Sequence, residues 1–131
     1  MIVLQRTIAS LNSSVKELIT SSPIYRRTAL ISFIFLLSSW LLPFWRIAPL
    51  GQERQFIPLH YNIYFGIDRF GPWEHIFLLP AIGLLLFIVN LIFQSVFLRT
   101  EHILSYFFAF STVLAEIILF AAVVAIVLLN L

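Results

Sequence analysis

The chain has 131 residues, of which 61% are hydrophobic and only 11% charged, with a net charge of +2. Soluble domains carry about a quarter charged residues, and a domain this small buries only about two-thirds of the surface its chain exposes. The composition therefore excludes a soluble enzyme, a disordered tail and a nucleic-acid-binding domain, and indicates an all-α integral membrane protein with a single membrane domain.

Residues 1–24 come first. Leu4, Ile8, Leu11, Val15 and Leu18 recur at helical spacing and form one stripe. Gln5, Arg6, Asn12, Ser13, Ser14, Lys16 and Glu17 fall mostly off it. Ser21, Ser22 and Pro23 then end the helix or turn it. The expectation is an amphipathic helix on the cytoplasmic membrane surface, with Arg6, Lys16, Arg26 and Arg27 near anionic headgroups. The competing reading packs this helix on the protein's own bundle or on a partner.

Three stretches have the length and apolarity to cross a bilayer, which takes about 20 residues as a helix. They are residues 28–45, 76–98 and 103–131. The first two carry no charge, and the third carries one, Glu116. Helices are expected because lipid offers no partner to an unpaired amide. Pro43 is expected to tighten or break the last turn of the first span. Arg26–Arg27 followed by an apolar run resembles the start of a signal peptide, but no small-x-small cleavage site follows. The run is therefore read as a span. Pro80 and Gly83 are candidate bend points in the second span. Ser111, Ala115, Ala121, Ala122 and Ala125 in the third are read as packing residues.

The loop at residues 46–75 is rich in aromatics: Phe56, Tyr61, Tyr64, Phe65, Phe70 and Trp73. From residue 55 to residue 65 the pattern alternates. Leu59, Tyr61, Ile63 and Phe65 fall on one side, and His60, Asn62 and Tyr64 on the other, which is a strand signal. Residues 67–71, Ile-Asp-Arg-Phe-Gly, read as a turn. Pro72 suits the first turn of the second spanning helix, where its missing amide costs nothing. Glu74 sits in that turn, where a carboxylate favours the helix dipole. Trp45 and Trp73 are expected to mark one membrane interface.

These loop residues also carry a resemblance. Ile57-Pro58-Leu59-His60-Tyr61-Asn62, then Gly66, then Asp68-Arg69-Phe70-Gly71, resembles the P-x-H-aromatic-N…G…D-R-aromatic-G signature of a bacterial membrane domain of unknown function. That domain stands at the N-terminus of the SdpI family of immunity and signalling proteins. His60, Asp68, Arg69 and Gly71 keep the family's mutual spacing, whereas Gly66 is displaced by one position. Pro72-Trp73 stands where the family usually has Ser-Lys, and the further spans of the longer members are missing. The resemblance covers the first span and the loop. It implies a non-enzymatic binding, immunity or signalling role.

His60, Asn62, Asp68 and Arg69 therefore have two readings. They form an extracytoplasmic surface that recognises a ligand or partner, or a polar cluster that responds to a peptide or proton. Alternatively, Asn62 and Asp68 serve the loop's own backbone, while His60 pairs locally with Asp68 or Arg69. Catalysis is not expected. No serine lies between Ser39 and Ser95 to complete a Ser-His-Asp site, and no nucleophile-elbow pattern is present. No metal or cofactor is expected either: Glu74 and His75 are adjacent, and no H-E-x-x-H motif occurs. There are 0 cysteines, which removes a thiolate site and a disulfide framework.

Glu116 lies mid-span, where a carboxylate costs about 2.5–3.5 kcal/mol on insertion scales. It must be protonated, paired or in contact with water. Thr112 precedes it by one turn on the same face. Asn90 and Gln94, one turn apart in the second span, are its expected partners, with Ser38 and Ser39 as further candidates. This polar group is either a proton or ligand site, or a tie between helices or to another subunit.

Lysine and arginine counts set the orientation. Arg6, Lys16, Arg26, Arg27 and Arg99 fall on one side of the spans, and Arg46, Arg54 and Arg69 on the other. The expectation is a multi-pass cell (inner) membrane protein with its N-terminus in the cytoplasm and its long loop and C-terminus outside. Its partners are the lipid bilayer and either a peptide ligand or a membrane protein. An accessory subunit of a larger complex and a small proton-linked transporter or oligomer are the other functional readings.

Overall fold

The computed structural model describes residues 2–131, excepting the side chains of Ile2, Val3, Leu4, Thr7 and Leu11. Two members of the N-terminal stripe, Leu4 and Leu11, thus lie outside the described side chains. The chain is mostly helical (78%). In order it forms α1 (Ile2–Ser21), α2 (Pro23–Arg46), α3 (Ala48–Glu53), β1 (Phe56–Asn62), β2 (Gly66–Pro72), a 3-10 turn (Trp73–Phe77), α4 (Leu78–Phe97) and α5 (His102–Leu129). Three helical segments are long and apolar enough to cross a membrane: Pro23–Arg46, Trp73–Phe97 and His102–Leu129. At 1.5 Å per residue, the 24 residues of α2 and the 28 of α5 reach about 36 and 42 Å, more than a hydrocarbon core of about 30 Å. This is a multi-pass membrane protein.

The first spanning helix begins at Pro23, ahead of the expected residue 28. Proline suits a first helical position, having no amide to leave unpaired. The Ile24 amide donates to Ser22 Oγ at 3.3 Å, so Ser22 caps the start. Pro43 does not break the helix, which runs on to Arg46. The Ile47 amide donates to the Pro43 carbonyl at 2.8 Å, so the backbone ladder resumes one turn later. The second and third helices end one and two residues before the expected limits, within ordinary fraying.

The residues group into two compact units: Met1–Phe33 with Leu85–Ala115, and Ile34–Leu84 with Glu116–Leu131.

The first unit is centred on Leu18, Tyr25, Leu98 and Ala109, all buried, with Leu91 and Tyr106 packed against them. The Tyr25 and Tyr106 rings stack with centroids 4.8 Å apart. Phe93, Phe97 and Phe108 form a second stack. Glu17 on α1 pairs with Arg99 in the α4–α5 connection. The C-terminal part of α1 packs on the protein's own helices, and Leu18 there is only 1% exposed. Farther back along α1, Ile8 remains exposed.

The second unit has its core at Ile47, Ile57, Ile76, Val123 and Val127. Trp40 stacks on Phe77, and Trp73 meets the same ring edge-on. A methyl group on Gly51 would collide with the Trp73 indole, so glycine lets α3 close against that ring. Trp73 is thus a packed residue, while Trp45 is exposed, with the Arg46 guanidinium 4.7 Å from its ring centroid.

The expected strand exists over Phe56–Asn62, shorter than the alternation at residues 55–65, and the expected turn at residues 67–71 is a second strand. β1 and β2 pair antiparallel from Phe56↔Pro72 to Asn62↔Gly66. The chain reverses at residues 63–65, where Asn62 Oδ1 accepts the Tyr64 amide at 2.9 Å and Gly66 takes a φ of 74°. That left-handed conformation is cheap only for glycine. Asp68 and Gly71 look like turn residues in isolation. In the hairpin, Gly71 faces Leu59, whose Cδ1 stands 2.6 Å from where a methyl group would go. The register shifts on either side of His60, as at a β-bulge.

Candidate functional site

Four expected site residues lie on the hairpin. Ile57 anchors it, since burying one isoleucine stabilises by about 1.5–3 kcal/mol. A second anchor is Asn130, whose Nδ2 donates to the Pro58 carbonyl at 2.8 Å and to the Ile126 carbonyl at 2.8 Å. The sequence reading missed Asn130. Its signal was slight: a lone amide near the end of the last apolar run.

On this support His60 and Asp68 meet across the strands. His60 Nδ1 and Asp68 Oδ1 are 2.7 Å apart. Both are accessible, so the pair adds little to stability and is open to a ligand. Arg69 stands opposite His60 in the strand register. It is exposed and has no carboxylate partner among the described residues. Asn62 is placed otherwise: its side-chain oxygen is committed to the Tyr64 amide, so its part here is to close the turn.

His60, Asp68 and Arg69 line a groove of about 570 Å³, together with His75, Leu59 and Leu79. His75 was not among the expected site residues. A second groove of about 710 Å³ shares Leu59, His60 and Leu79 and continues along Ala122, Ala125 and Leu129 of α5. Ordinary ligand sites have this size and this mixture of apolar wall and few polar groups. The described residues contain no cluster of three histidine, cysteine or acidic side chains placed to hold a metal ion.

The intramembrane polar residues separate into two sets. In the first unit, Asn90 Nδ2 donates to Thr112 Oγ1 at 3.0 Å, and Thr112 Oγ1 donates to the Phe108 carbonyl at 2.7 Å. Gln94 is buried, and its main-chain carbonyl accepts Ser105 Oγ at 2.8 Å. Ser38 and Ser39, in the second unit, donate to carbonyls one turn back in their own helix. Glu116, also in the second unit, is 0% exposed. Neither of its carboxyl oxygens has a hydrogen-bond partner among the described residues. The expected Asn90 and Gln94 ties to Glu116 are therefore not made. Asn90 is satisfied one turn earlier, at Thr112, and Glu116 instead meets the backbone of Gly83.

No family model matches the sequence, and no curated protein or solved structure matches it.

Proposed function

We propose that the chain is a non-enzymatic membrane protein of binding, immunity or signalling type, similar in role to SdpI-family proteins. The hairpin is its recognition face. The observation that carries this reading is the convergence of the accessible His60–Asp68 pair, Arg69 and His75 on one groove. Buried apolar contacts hold the hairpin, so these polar groups are not needed to hold it together. The loop motif supports the same assignment. The lysine and arginine balance supports a cell (inner) membrane location with the hairpin and C-terminus outside and the N-terminus in the cytoplasm.

Complementation of a deletion strain tests the role. His60→Ala, Asp68→Ala and Arg69→Ala are expected to insert and accumulate like wild type yet fail to complement. Full complementation by all three would end the recognition reading. The cysteine-free sequence makes orientation directly measurable. A Tyr64→Cys variant is expected to react with an impermeant maleimide in intact cells, and protection until the cells are lysed would reverse the topology.

A second reading, a small proton-linked carrier, is favoured by one observation: the fully buried Glu116 carboxyl in the middle of α5. Glu116→Gln should then abolish proton-coupled flux in reconstituted vesicles, and unchanged flux would remove this reading.

A further inference from the structure

The two grooves differ in chemistry and share a wall. One has a polar, hydrogen-bonding mouth to which Arg69, His75 and His60 contribute donors. Asp68 is the acid at that mouth, and its carboxylate is engaged by His60. The other groove is apolar and runs along α5. Leu59, His60, Leu79 and Ile126 belong to both. The mouth thus lies where α4 begins and α5 ends, which is headgroup depth for helices that cross a bilayer. From Leu129 back to Ala122 the apolar groove covers about 10 Å of helix, directed from that level into the hydrocarbon. Ala122, Ala125 and Leu129 recur at i, i+3 and i+7, so they share one helical face. The two alanines leave that face shallow.

We infer that this composite groove is a binding site for an anionic phospholipid. Its phosphodiester is held by Arg69 with His75 and His60, and one acyl chain lies along Ala122, Ala125 and Leu129. The assignment rests on the reading of the hairpin as a recognition face and names what that face takes. Charge complementarity selects the headgroup: a guanidinium without a carboxylate partner presents a fork of donors matched to phosphate oxygens. The apolar half selects a lipid over a free phosphate, which would leave that surface uncovered. It also selects a lipid over a peptide, whose backbone amides would find no partners along the alanine face.

Native mass spectrometry of the detergent-purified full chain tests this. The probes are phosphatidylglycerol, phosphatidylcholine and glycerophosphoglycerol, the deacylated headgroup. Phosphatidylglycerol should be retained about tenfold over phosphatidylcholine, whose choline cation offsets the phosphate charge and is repelled by Arg69, and the deacylated headgroup should not be retained. Arg69→Ala should erase the preference. Ala125→Trp, at an exposed position, should remove both lipids while the protein still elutes as a folded species, and Ala122→Leu provides the same test with a smaller side chain. Equal retention of the two lipids by wild type, unchanged retention by folded groove variants, or a peptide adduct in place of lipid would overturn the assignment. Lost complementation by the hairpin variants without a lipid preference overturns the lipid site and leaves recognition standing. Intact complementation without a lipid preference removes both.

Discussion

The carboxyl of Glu116 lies against the backbone of Gly83. A methyl group in place of the Gly83 hydrogen would stand 2.8 Å from Oε2 and 3.3 Å from both Oε1 and the Leu119 Cδ1. The mid-span acid of α5 is thus accommodated by a missing side chain on the neighbouring helix. Two helices approach closely where one of them presents glycine, and here a buried carboxyl fills the space.

Gly83→Leu is therefore expected to destabilise the protein. Overpacking costs about 1–3 kcal/mol, against about 1 kcal/mol that a good helix former gains over glycine. A net loss of up to about 2 kcal/mol should appear as a lower thermal midpoint in detergent. The same substitution on a Glu116→Ala background should lose less. Equal losses on both backgrounds would show that the two residues are not coupled.

Glu116→Leu should raise the midpoint. The carboxyl is buried and has no hydrogen-bond partner among the described residues, and such a group costs about 1–3 kcal/mol. A leucine of similar size removes that cost. A fall in stability would mean that the carboxyl makes a contact worth more than its burial.

Gly66 controls the hairpin through backbone conformation alone, because a methyl group there would meet nothing within 4 Å. Gly66→Ala should cost about 1–2 kcal/mol, the penalty of a left-handed conformation for an L-residue. Gly66→Asn should cost less, since asparagine tolerates that region. Amide exchange on β1 and β2 should quicken in that order, and equal exchange in both variants would contradict it.

The Glu17–Arg99 pair ties α1 to the α4–α5 connection. Glu17 hydrogen-bonds the guanidinium and holds Arg99 above its ordinary value. A raised value for a cation means that the pair's contribution is present below the unfolded value and fades only as pH rises through the folded one. For an arginine that lies beyond the working range, so on the Arg99 side the tie should hold throughout neutral and mildly alkaline pH. Because the pair is exposed, it should weaken with salt. Glu17→Gln should speed tryptic cleavage at Lys16, and added salt should speed cleavage of wild type but not of the variant. Identical salt responses would deny the tie.

The cross-strand His60–Asp68 pair should contribute about 0.2–1 kcal/mol. His60→Ala and Asp68→Ala should accordingly keep the wild-type circular dichroism spectrum and nearly the same midpoint. A large loss in either would move these residues from recognition to support of the hairpin.

The three spans were legible in the sequence because the cost of placing charge in hydrocarbon is paid residue by residue, so an uncharged run of sufficient length admits few alternatives. The first strand was legible through its alternation, and the helical nature of residues 2–21 through the spacing of its apolar stripe. The position of the reversal was not legible, because Asp68 and Gly71 have turn chemistry when taken alone. Only the pairing partner shows that Gly71 makes room for Leu59 and that Gly66 takes the positive φ. The surroundings of Glu116 were likewise hidden. Reasoning from polarity led to Asn90 and Gln94, but Asn90 is taken up by Thr112 and the carboxyl lies at Gly83, a placement that sequence spacing defines only loosely. What one stretch of chain exchanges with its solvent can be read along the chain. Which distant residues share a space is decided by packing, because contact depends on the relative placement of elements that no local pattern encodes.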